Sequence, residues 1–345
     1  MQNQEKKSFP FWFGVDVSKE TFTAAGRSIL LGDKPVFPET ESYTLDRNGA
    51  RGFLKWAKSD AKDGDYGIAM ETTGAHSVKL AALLKAVCPS LHVAVCNATS
   101  ISLYARSFTD EKNDKADAAV ISRYGCERQP QEPRILSPER SRLREIVRAR
   151  DGLVDQRLQA TNRLESIMDR DVRRIQKGVV KSLDNAIGKL DDELRATVNS
   201  SAEIRHEVEL MMTAPGVGFT SAACIYAEMG SLKDYTRKQV SAMSGVCPVN
   251  QTSGKSVKKH KMSRKGSRLL RKILYLDSHM AIRMIPALKE FHARMLAKPD
   301  SSKMTAKCAC MRKLLLILHS MVMRDEKFDP NYKSEKNIEN VKKSI

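Results

Sequence analysis

Residues Phe11–Lys19 read FWFGVDVSK. A short apolar run bounded by turn-forming residues is typical of a buried strand, and this run closes with the carboxylate of Asp16. An unpaired charge is costly to bury, so Asp16 belongs at the end of the strand rather than inside it. Taken alone, the stretch favours a structural role for Asp16, in which its side chain caps the following turn.

Strands alternate with helices through the N-terminal third of the chain, after an opening hairpin. Apolar runs predict strands at residues 11–17, 21–27, 36–45, 66–70 and 91–95. Apolar residues at helical spacing predict helices at residues 48–58, 78–87 and 98–106. This alternation predicts an α/β domain with a mixed sheet in residues 1–136.

Three further carboxylates follow this pattern. The predicted strand YGIAM runs directly into Glu71, so Glu71 and Asp16 both stand at strand ends, where α/β sheets collect ligands. Asp114 and Asp117 are three residues apart at a predicted helix start and share one face of it, although helix capping would also explain this pair. Clustered carboxylates repel one another and a hard cation relieves the repulsion, which predicts a Mg²⁺ site for phosphodiester chemistry.

The positive charge is concentrated at the C-terminal end. The chain carries a net charge of +18, and residues 253–345 hold 23 Lys and Arg against 8 Asp and Glu. Such a local excess predicts a polyanionic partner, nucleic acid before membrane. No apolar run approaches the roughly 18 residues that cross a bilayer, and the seven cysteines lack disulfide or zinc spacing. We therefore expect a cytoplasmic protein with reduced thiols.

Residues 137–205 predict a long helical stretch. Ser137 followed by Pro138 is typical of a helix start, and apolar residues then recur near helical spacing, with Arg and Asp on the remaining faces. This pattern favours a helical hairpin or coiled coil that dimerises, and an intramolecular spacer is the alternative.

Residues 206–325 combine a glycine turn with a basic stretch. Gly216 and Gly218, in APGVG, precede a predicted helix, and the backbone N–H groups at a helix N-terminus suit a phosphate, although any tight turn may need glycines. Between residues 255 and 272 there are nine basic residues and no acid, which predicts nucleic-acid phosphate contacts. They are Lys255, Lys258, Lys259, Lys261, Arg264, Lys265, Arg268, Arg271 and Lys272. Residues 326–345 form a polar, lysine-rich tail to which we assign no role.

The ordered motifs together resemble a known family. VDVSK with Asp16, METTG with Glu71, NDKADA with Asp114 and Asp117, APGVG, SGVCPVNQTSGKS and SRKGSRLLRK follow one another across residues 11 to 285. The chain is similar to the DEDD transposases of insertion sequences that use a bridge RNA, relatives of the Piv-type DNA invertases. The resemblance implies an RNase H-like, RuvC-type catalytic domain, a dimerising coiled-coil linker and a mostly helical transposase domain with a helix-hairpin-helix-like turn.

The resemblance also implies the chemistry. Asp16, Glu71, Asp114 and Asp117 would form the Mg²⁺-binding DEDD set, and Ser253 matches the family's catalytic serine, with Ser256 as a nearby competitor. Donor and target DNA, a structured guide RNA and a homo-oligomer are the expected partners. A RuvC-like nuclease or Holliday-junction resolvase that uses water, and a non-catalytic nucleic-acid-binding scaffold, are the alternative functions.

Overall fold

The computed structural model describes residues 8–28, 39–62, 64–107, 114–132, 136–251, 259–262, 266–298 and 301–331. The chain divides into two units, Met1–Ile135 and Leu136–Ile345. No helix in the described part of the chain combines the length and apolarity that crossing a membrane requires.

The first unit is built on a five-stranded mixed sheet of order β3-β2-β1-β4-β5. Its strands are β1 (Phe11–Val17), β2 (Thr21–Ser28), β3 (Thr40–Thr44), β4 (Tyr66–Glu71) and β5 (His92–Cys96). Strand β1 runs antiparallel to β2 and parallel to β4, and β5 continues the parallel half. The predicted mixed sheet is confirmed, and this topology is compatible with an RNase H-like domain. The predicted third strand is shorter than expected, and its first residues, 36–38, lie outside the described residues.

Helices cover both faces of this sheet. They are α1 (Arg47–Asp60), α2 (Ala75–Val87), α3 (Ala98–Ala105) and α4 (Asp114–Arg128). Because side chains alternate along a strand, Phe13 and Val15 pack into the core beneath α1 and α2. Trp12 points to the opposite face, into a smaller core that includes Ile101 of α3 and Ile121 of α4.

The second unit is mostly helical. Its helices are α5 (Pro138–Ser166), α6 (Arg170–Asn199), α7 (Ala202–Met212), α8 (Phe219–Met229), α9 (Arg237–Ser244), α10 (Arg268–Met284), α11 (Pro286–Leu296) and α12 (Lys303–Arg324). Two short antiparallel strands, β6 (Pro248–Gln251) and β7 (Lys259–Met262), come before and after the sequence stretch that contains Ser253 and Ser256. The sequence analysis did not predict these strands, because a polar, lysine-rich stretch without apolar alternation resembles a loop.

The two longest helices form an antiparallel hairpin. Helix α5 starts as predicted, with the Ser137 hydroxyl accepting from the Arg140 backbone N–H and Pro138 in the first turn. Ion pairs join α5 to α6 with descending partner numbers, as antiparallel helices require; they are Arg142–Glu193, Arg150–Asp191 and Arg157–Asp184. Leu143 and Leu194, near the base of this hairpin, pack into one core with α7, α8, α10 and α12.

Candidate active site

Asp16 and Glu71 lie on neighbouring parallel strands, at their carboxyl ends. The β1–β4 register pairs Gly14 with Ala69 and Val15 with Met70, and one further step along both strands sets Asp16 beside Glu71. Trp12, Gly14 and Asp16 alternate with the core residues beneath α1 and α2, so Asp16 faces the side of the sheet that α4 covers. The acidic side chains at the two strand ends therefore face α4.

Helix α4 approaches this face unusually closely, because Gly14 has no side chain. A Cβ atom placed on Gly14 would lie 2.0 Å from the Ser122 backbone nitrogen and 2.2 Å from the Ala118 carbonyl oxygen. Neither distance can be relieved by a side-chain rotation, since both contacts are with helix backbone. Gly14 thus allows the helix to lie directly against β1, two residues before Asp16.

Trp12 extends this close packing along the same face. It is fully buried, and Cβ atoms placed on Gly67 of β4 or on Gly125 of α4 would lie 2.9 Å and 2.8 Å from its indole ring. Two glycines therefore leave room for one large ring between the sheet and the helix. This packing holds α4 along the sheet, so that its first turn, with Asp114 and Asp117, lies over the strand ends.

The four carboxylates are close enough to act on one another electrostatically. Burial raises the pKa of Asp16 above its ordinary value, and the negative charges of Asp117 and Asp114 raise it further. The pKa of Glu71 is raised by burial, then by Asp16 and Asp117. The structure therefore places the residues of all four predicted acidic positions around one site, although they are as much as 101 positions apart in the sequence.

The donor set suits a hard divalent cation. Among the residues that the structure describes, no three His, Cys, Asp or Glu side chains form a group that could hold a metal ion in the geometry shown. The described carboxylates thus stand too far apart to share one coordination shell. Burial first, and then repulsion between the acids, accounts for the raised pKa values of Asp16 and Glu71. The four groups offer only oxygen atoms, which match Mg²⁺ rather than zinc, so their chemistry fits the cation. To bind one ion together, the carboxylates would have to move closer to one another.

The glycine turn before α8 serves packing as well as turn geometry. Gly216 has a φ of +90°, which favours glycine, and a Cβ there would lie 2.8 Å from the Ala281 backbone nitrogen of α10. Gly218 is exposed and is the N-cap residue of α8, with no side-chain hydrogen bond capping the helix. Of the two predicted phosphate-binding glycines, Gly216 is therefore packed against α10 and Gly218 faces open space.

The structure places only part of the predicted basic set. The positions outside the described residues are Ser253, Lys255, Ser256, Lys258, Arg264 and Lys265. Lys259 and Lys261 lie on strand β7, and Arg268, Arg271 and Lys272 lie in the first turns of α10.

The three basic residues in the first turns of α10 differ in how they are paired. Lys272 Nζ donates to Asp155 Oδ1 at 2.7 Å and also contacts Asp151. Arg271 donates to the Gly266 carbonyl at 2.8 Å. The side chain of Arg268 is 85% exposed, so it is the most accessible of the three to an incoming phosphate.

Sequence reasoning missed the residues that position α4. Gly14, Gly67 and Gly125 appear unremarkable in the sequence, although a glycine inside a predicted strand can mark a close backbone approach. The pattern Trp12-x-Gly14-x-Asp16, on one face of β1, was the available signal. It could not identify α4 as the partner, because that contact joins elements about 100 residues apart.

Comparison with known proteins places both units in transposase families. A family model described as Transposase, of the IS110 DEDD type, matches residues 13–171, and one described as Transposase IS116/IS110/IS902 family matches residues 208–293. The pilin gene-inverting protein of Moraxella bovis is 25% identical over 92% of this chain and 97% of its own length. The corresponding protein of Moraxella lacunata matches to the same extent.

A shorter match supports the same assignment. The transposase for insertion sequence element IS1111A of Coxiella burnetii is 29% identical over 30% of this chain and 27% of its own length. The two family models match separate stretches in the order expected for one protein. The chain is therefore similar over most of its length to DEDD transposases of the IS110/IS116 type, and these matches indicate an enzyme of DNA transposition and recombination.

Proposed function

We propose that this chain cuts and rejoins DNA strands to insert and excise an insertion sequence. The observation that carries the proposal is the meeting of Asp16 and Glu71, at two strand ends, with Asp117 on α4, where the charge of Asp117 adds to burial in raising the pKa of both Asp16 and Glu71. Natural proteins rarely retain repelling carboxylates without a use for them, and perturbed pKa values gather at functional sites. The similarity to transposases and to the pilin gene-inverting protein supports DNA as the substrate.

The acidic site would hold divalent cations, which DEDD transposases typically use. Asp16, Glu71, Asp114 and Asp117 would be the ligands, and we propose Mg²⁺ as the ion. Bound there, Mg²⁺ would neutralise charge on the phosphate and stabilise the attacking and leaving oxygens. The role of the carboxylates is to orient the scissile phosphate at the edge of the sheet, with α4 and Trp12 holding them in place.

Ser253 would be the nucleophile, with Ser256 as the competing candidate; both lie outside the described residues. The Ser253 Oγ attacks the phosphorus, a P–O bond to one DNA strand breaks, and the released sugar oxygen ends as a hydroxyl that has taken the serine proton. The phosphoserine link keeps the energy of the broken bond. A hydroxyl of the strand to be joined then attacks it, re-forms a phosphodiester and returns the proton to serine.

A structured guide RNA would select the donor and target DNA. This part of the proposal rests on the resemblance to bridge-RNA-guided elements and on the positive charge of residues 253–345. A basic surface binds the phosphates of either nucleic acid, so the charge supports a nucleic-acid partner without choosing between DNA and RNA. We also propose that the protein is cytoplasmic.

Self-association would run through the tip of the α5–α6 hairpin. Val172, Ile175 and Val179 share one side of the start of α6 and are 52%, 67% and 45% exposed, and Met168, two residues before the helix, is 92% exposed. The spacing of these residues is typical of an apolar helical stripe that packs against a second helix. In the domain organisation that we propose, residues 137–205 form the dimerisation linker between the catalytic domain, residues 1–136, and the transposase domain, residues 206–325.

Covalent capture of DNA tests the function. The wild-type protein, given Mg²⁺, guide RNA and a DNA substrate that is nicked near the cleavage site, should accumulate a protein–DNA adduct that survives denaturation. The Ser253→Ala variant should lose the adduct and the Ser256→Ala variant should keep it. If Ser253→Ala keeps the adduct and Ser256→Ala loses it, Ser256 is the nucleophile. If both variants still cleave DNA without an adduct, water is the nucleophile and the protein acts as a nuclease or resolvase.

A further inference from the structure

A cavity of about 250 Å³ lies in the second unit. Its walls come from α5, α8, α9 and α10, and their lining residues are Arg144, Arg148, Glu228, Met229, Met243, Ser267 and Leu270. The side chains of Arg144 and Arg148 are 38% and 54% exposed, so the cavity is open to solvent. It is smaller than the roughly 300–1,000 Å³ of sites for drug-sized ligands, so it suits one small charged group.

One of the two arginines forms a bidentate pair with the acid of the cavity. Arg148 Nε and Nη2 donate to the two carboxylate oxygens of Glu228 at 2.7 Å and 3.2 Å, the side-by-side geometry of a strong Arg–carboxylate pair. The Glu228 side chain is only 4% exposed, and its pKa stays below the ordinary value because Arg148 and Arg144 outweigh the effect of burial. The single acid of the cavity is thus already committed to Arg148.

Arg144, the other arginine of the cavity, is not hydrogen-bonded to Glu228 through its Nε. Its Nε lies 3.9 Å from Glu228 Oε1, too far for a hydrogen bond, and this buried nitrogen has no hydrogen-bond partner among the residues that the structure describes. Burial lowers the pKa of Arg144, repulsion from Arg148 and Arg140 lowers it further, and the attraction of Glu228 only partly opposes these effects. An unsatisfied charged donor is expensive to keep, which indicates that something outside the chain completes it.

The surroundings of Arg144 favour an anion. Ser267, the N-cap residue of α10, lines the cavity, so the positive end of a 17-residue helix dipole points toward the same space. Arg140 lies one turn earlier on α5 and is bound to the carbonyls of Ala227 and Glu228. The arginines outnumber the acid, so the cavity carries a net positive charge.

We propose that this cavity binds a backbone phosphate of the nucleic acid, with Arg144 as the main donor. The proposal rests on the proposed function, because it assumes a nucleic-acid partner, and it assigns the main contact to a residue, Arg144, outside the basic stretch of residues 255–272. Phosphate is favoured over a carboxylate ligand because it presents several acceptor oxygens to a planar guanidinium and a helix N-terminus at once. DNA and RNA share this phosphate chemistry, so the experiment separates them.

The test compares Arg144→Met with Arg142→Met in the full chain. Methionine keeps most of the stem that packs the cavity and removes the charge. Arg142 is the matched control, because it lies on the same helix with a 63% exposed side chain and pairs with Glu193 at the surface. The probes are a duplex DNA and a structured RNA of equal phosphate number, each titrated at several salt concentrations.

Arg144→Met should bind one of the two probes about tenfold more weakly, as the loss of a charge-assisted hydrogen bond implies. The slope of log K against log salt should fall by about 0.9 on duplex DNA or about 0.7 on a single strand, for one lost phosphate contact. The probe that loses this slope identifies the partner. Because Arg144 is unsatisfied in the free protein, the melting temperature of Arg144→Met should be equal to or above that of the wild type.

A structural role for Arg144 would give the opposite pattern, with a lower melting temperature and unchanged salt slopes on both probes, and that result would overturn the proposal. Inorganic phosphate supplies a readout that needs no nucleic acid. It should raise the melting temperature of the wild type and of Arg142→Met more than that of Arg144→Met. A phosphate effect without any nucleic-acid binding would support the cavity and contradict the proposed function, and equal phosphate effects in all three proteins would overturn the cavity assignment.

Discussion

Gly14 of β1 and Ala118 of α4 touch backbone to backbone, so closely that a Cβ on Gly14 would lie 2.2 Å from the Ala118 carbonyl oxygen. Ala118 follows Asp117, and Gly14 precedes Asp16 by two positions on the same face of the strand. The distance between two of the acidic side chains is thus set by a glycine that carries no chemistry of its own.

The Gly14→Ala substitution tests this relationship. The added methyl group should force α4 away from β1, because both contacts are with rigid backbone, and should cost about 3 kcal/mol or more in unfolding free energy. Chemical denaturation measures this loss, and DNA cleavage should be lost with it. Gly188→Ala is the control: Gly188 lies in helix α6 with nothing within 4 Å of an added Cβ, so alanine should stabilise by about 0.5–1 kcal/mol. A Gly14→Ala protein as stable as the wild type would contradict the close contact.

Asp16→Asn tests the cation site without relying on activity. Removing this charge relieves repulsion from Asp117, Asp114 and Glu71. The melting temperature in chelator should therefore rise, by roughly 2–4 °C for each kcal/mol relieved. The stabilisation that added Mg²⁺ gives the wild type should shrink, because a ligand that binds only the folded state stabilises it by mass action.

Asp60→Asn is the matched control for that experiment. Asp60 belongs to the same unit, and burial followed by Glu39 raises its pKa, but the acidic site does not couple to it. This variant should keep the full Mg²⁺ effect of the wild type. If Asp16→Asn retained that full effect as well, Asp16 would not be a cation ligand.

Asp277 should make stability depend on pH. Its side chain is buried, and burial raises its pKa from 3.8 to about 6 despite the hydrogen bond that Ser221 donates to Oδ1. Between these values the folded state binds a proton that the unfolded state has released, so the unfolding free energy falls as pH rises from about 4 to 6. The full fall is about 3 kcal/mol, at 1.36 kcal/mol per pKa unit.

Asp277→Asn should flatten this pH dependence. The amide oxygen can still accept from Ser221, and no charge remains to be buried, so the variant should gain about 1–3 kcal/mol over the wild type at pH 8. Denaturation curves at pH 4, 6 and 8 measure the effect. Asp171→Asn, at a site with a 76% exposed side chain, should follow the wild-type curve. If the difference in unfolding free energy between the wild type and Asp277→Asn did not change between pH 4 and 6, the Asp277 carboxyl would not be protonated there.

The exposed stripe on α6 predicts concentration-dependent self-association. Placing a charge in it, as Ile175→Lys or Val179→Lys, should shift the protein toward the monomer, because desolvating an unpaired lysine opposes burial of the stripe. Sedimentation velocity over a range of concentrations would measure this shift. Asn185→Lys adds the same charge farther along the same helix at an exposed position and should leave the distribution unchanged. Equal distributions for all variants would place the contact elsewhere.

Local patterns in the sequence were sufficient for most elements of the first unit. The predicted strand at residues 11–17 is β1 as observed, and the helix start at Ser137 follows from a cap and a proline that act within one turn. Strands β6 and β7 were missed, because their pairing depends on a partner strand rather than on their own apolar pattern. The dimerising role of the hairpin stays a prediction.

The sequence by itself determined the chemical inventory: four acids in three motifs, a basic C-terminal region and the order of strands and helices. Only the tertiary structure decided which groups meet. It brought Asp16, Glu71 and Asp117 together through a glycine contact, paired Lys272 with Asp151 and Asp155, and left Arg144 unsatisfied in a cavity. The physical reason is that strand periodicity and helix capping act between near neighbours, whereas ion pairing and desolvation depend on distances between residues that only folding brings together.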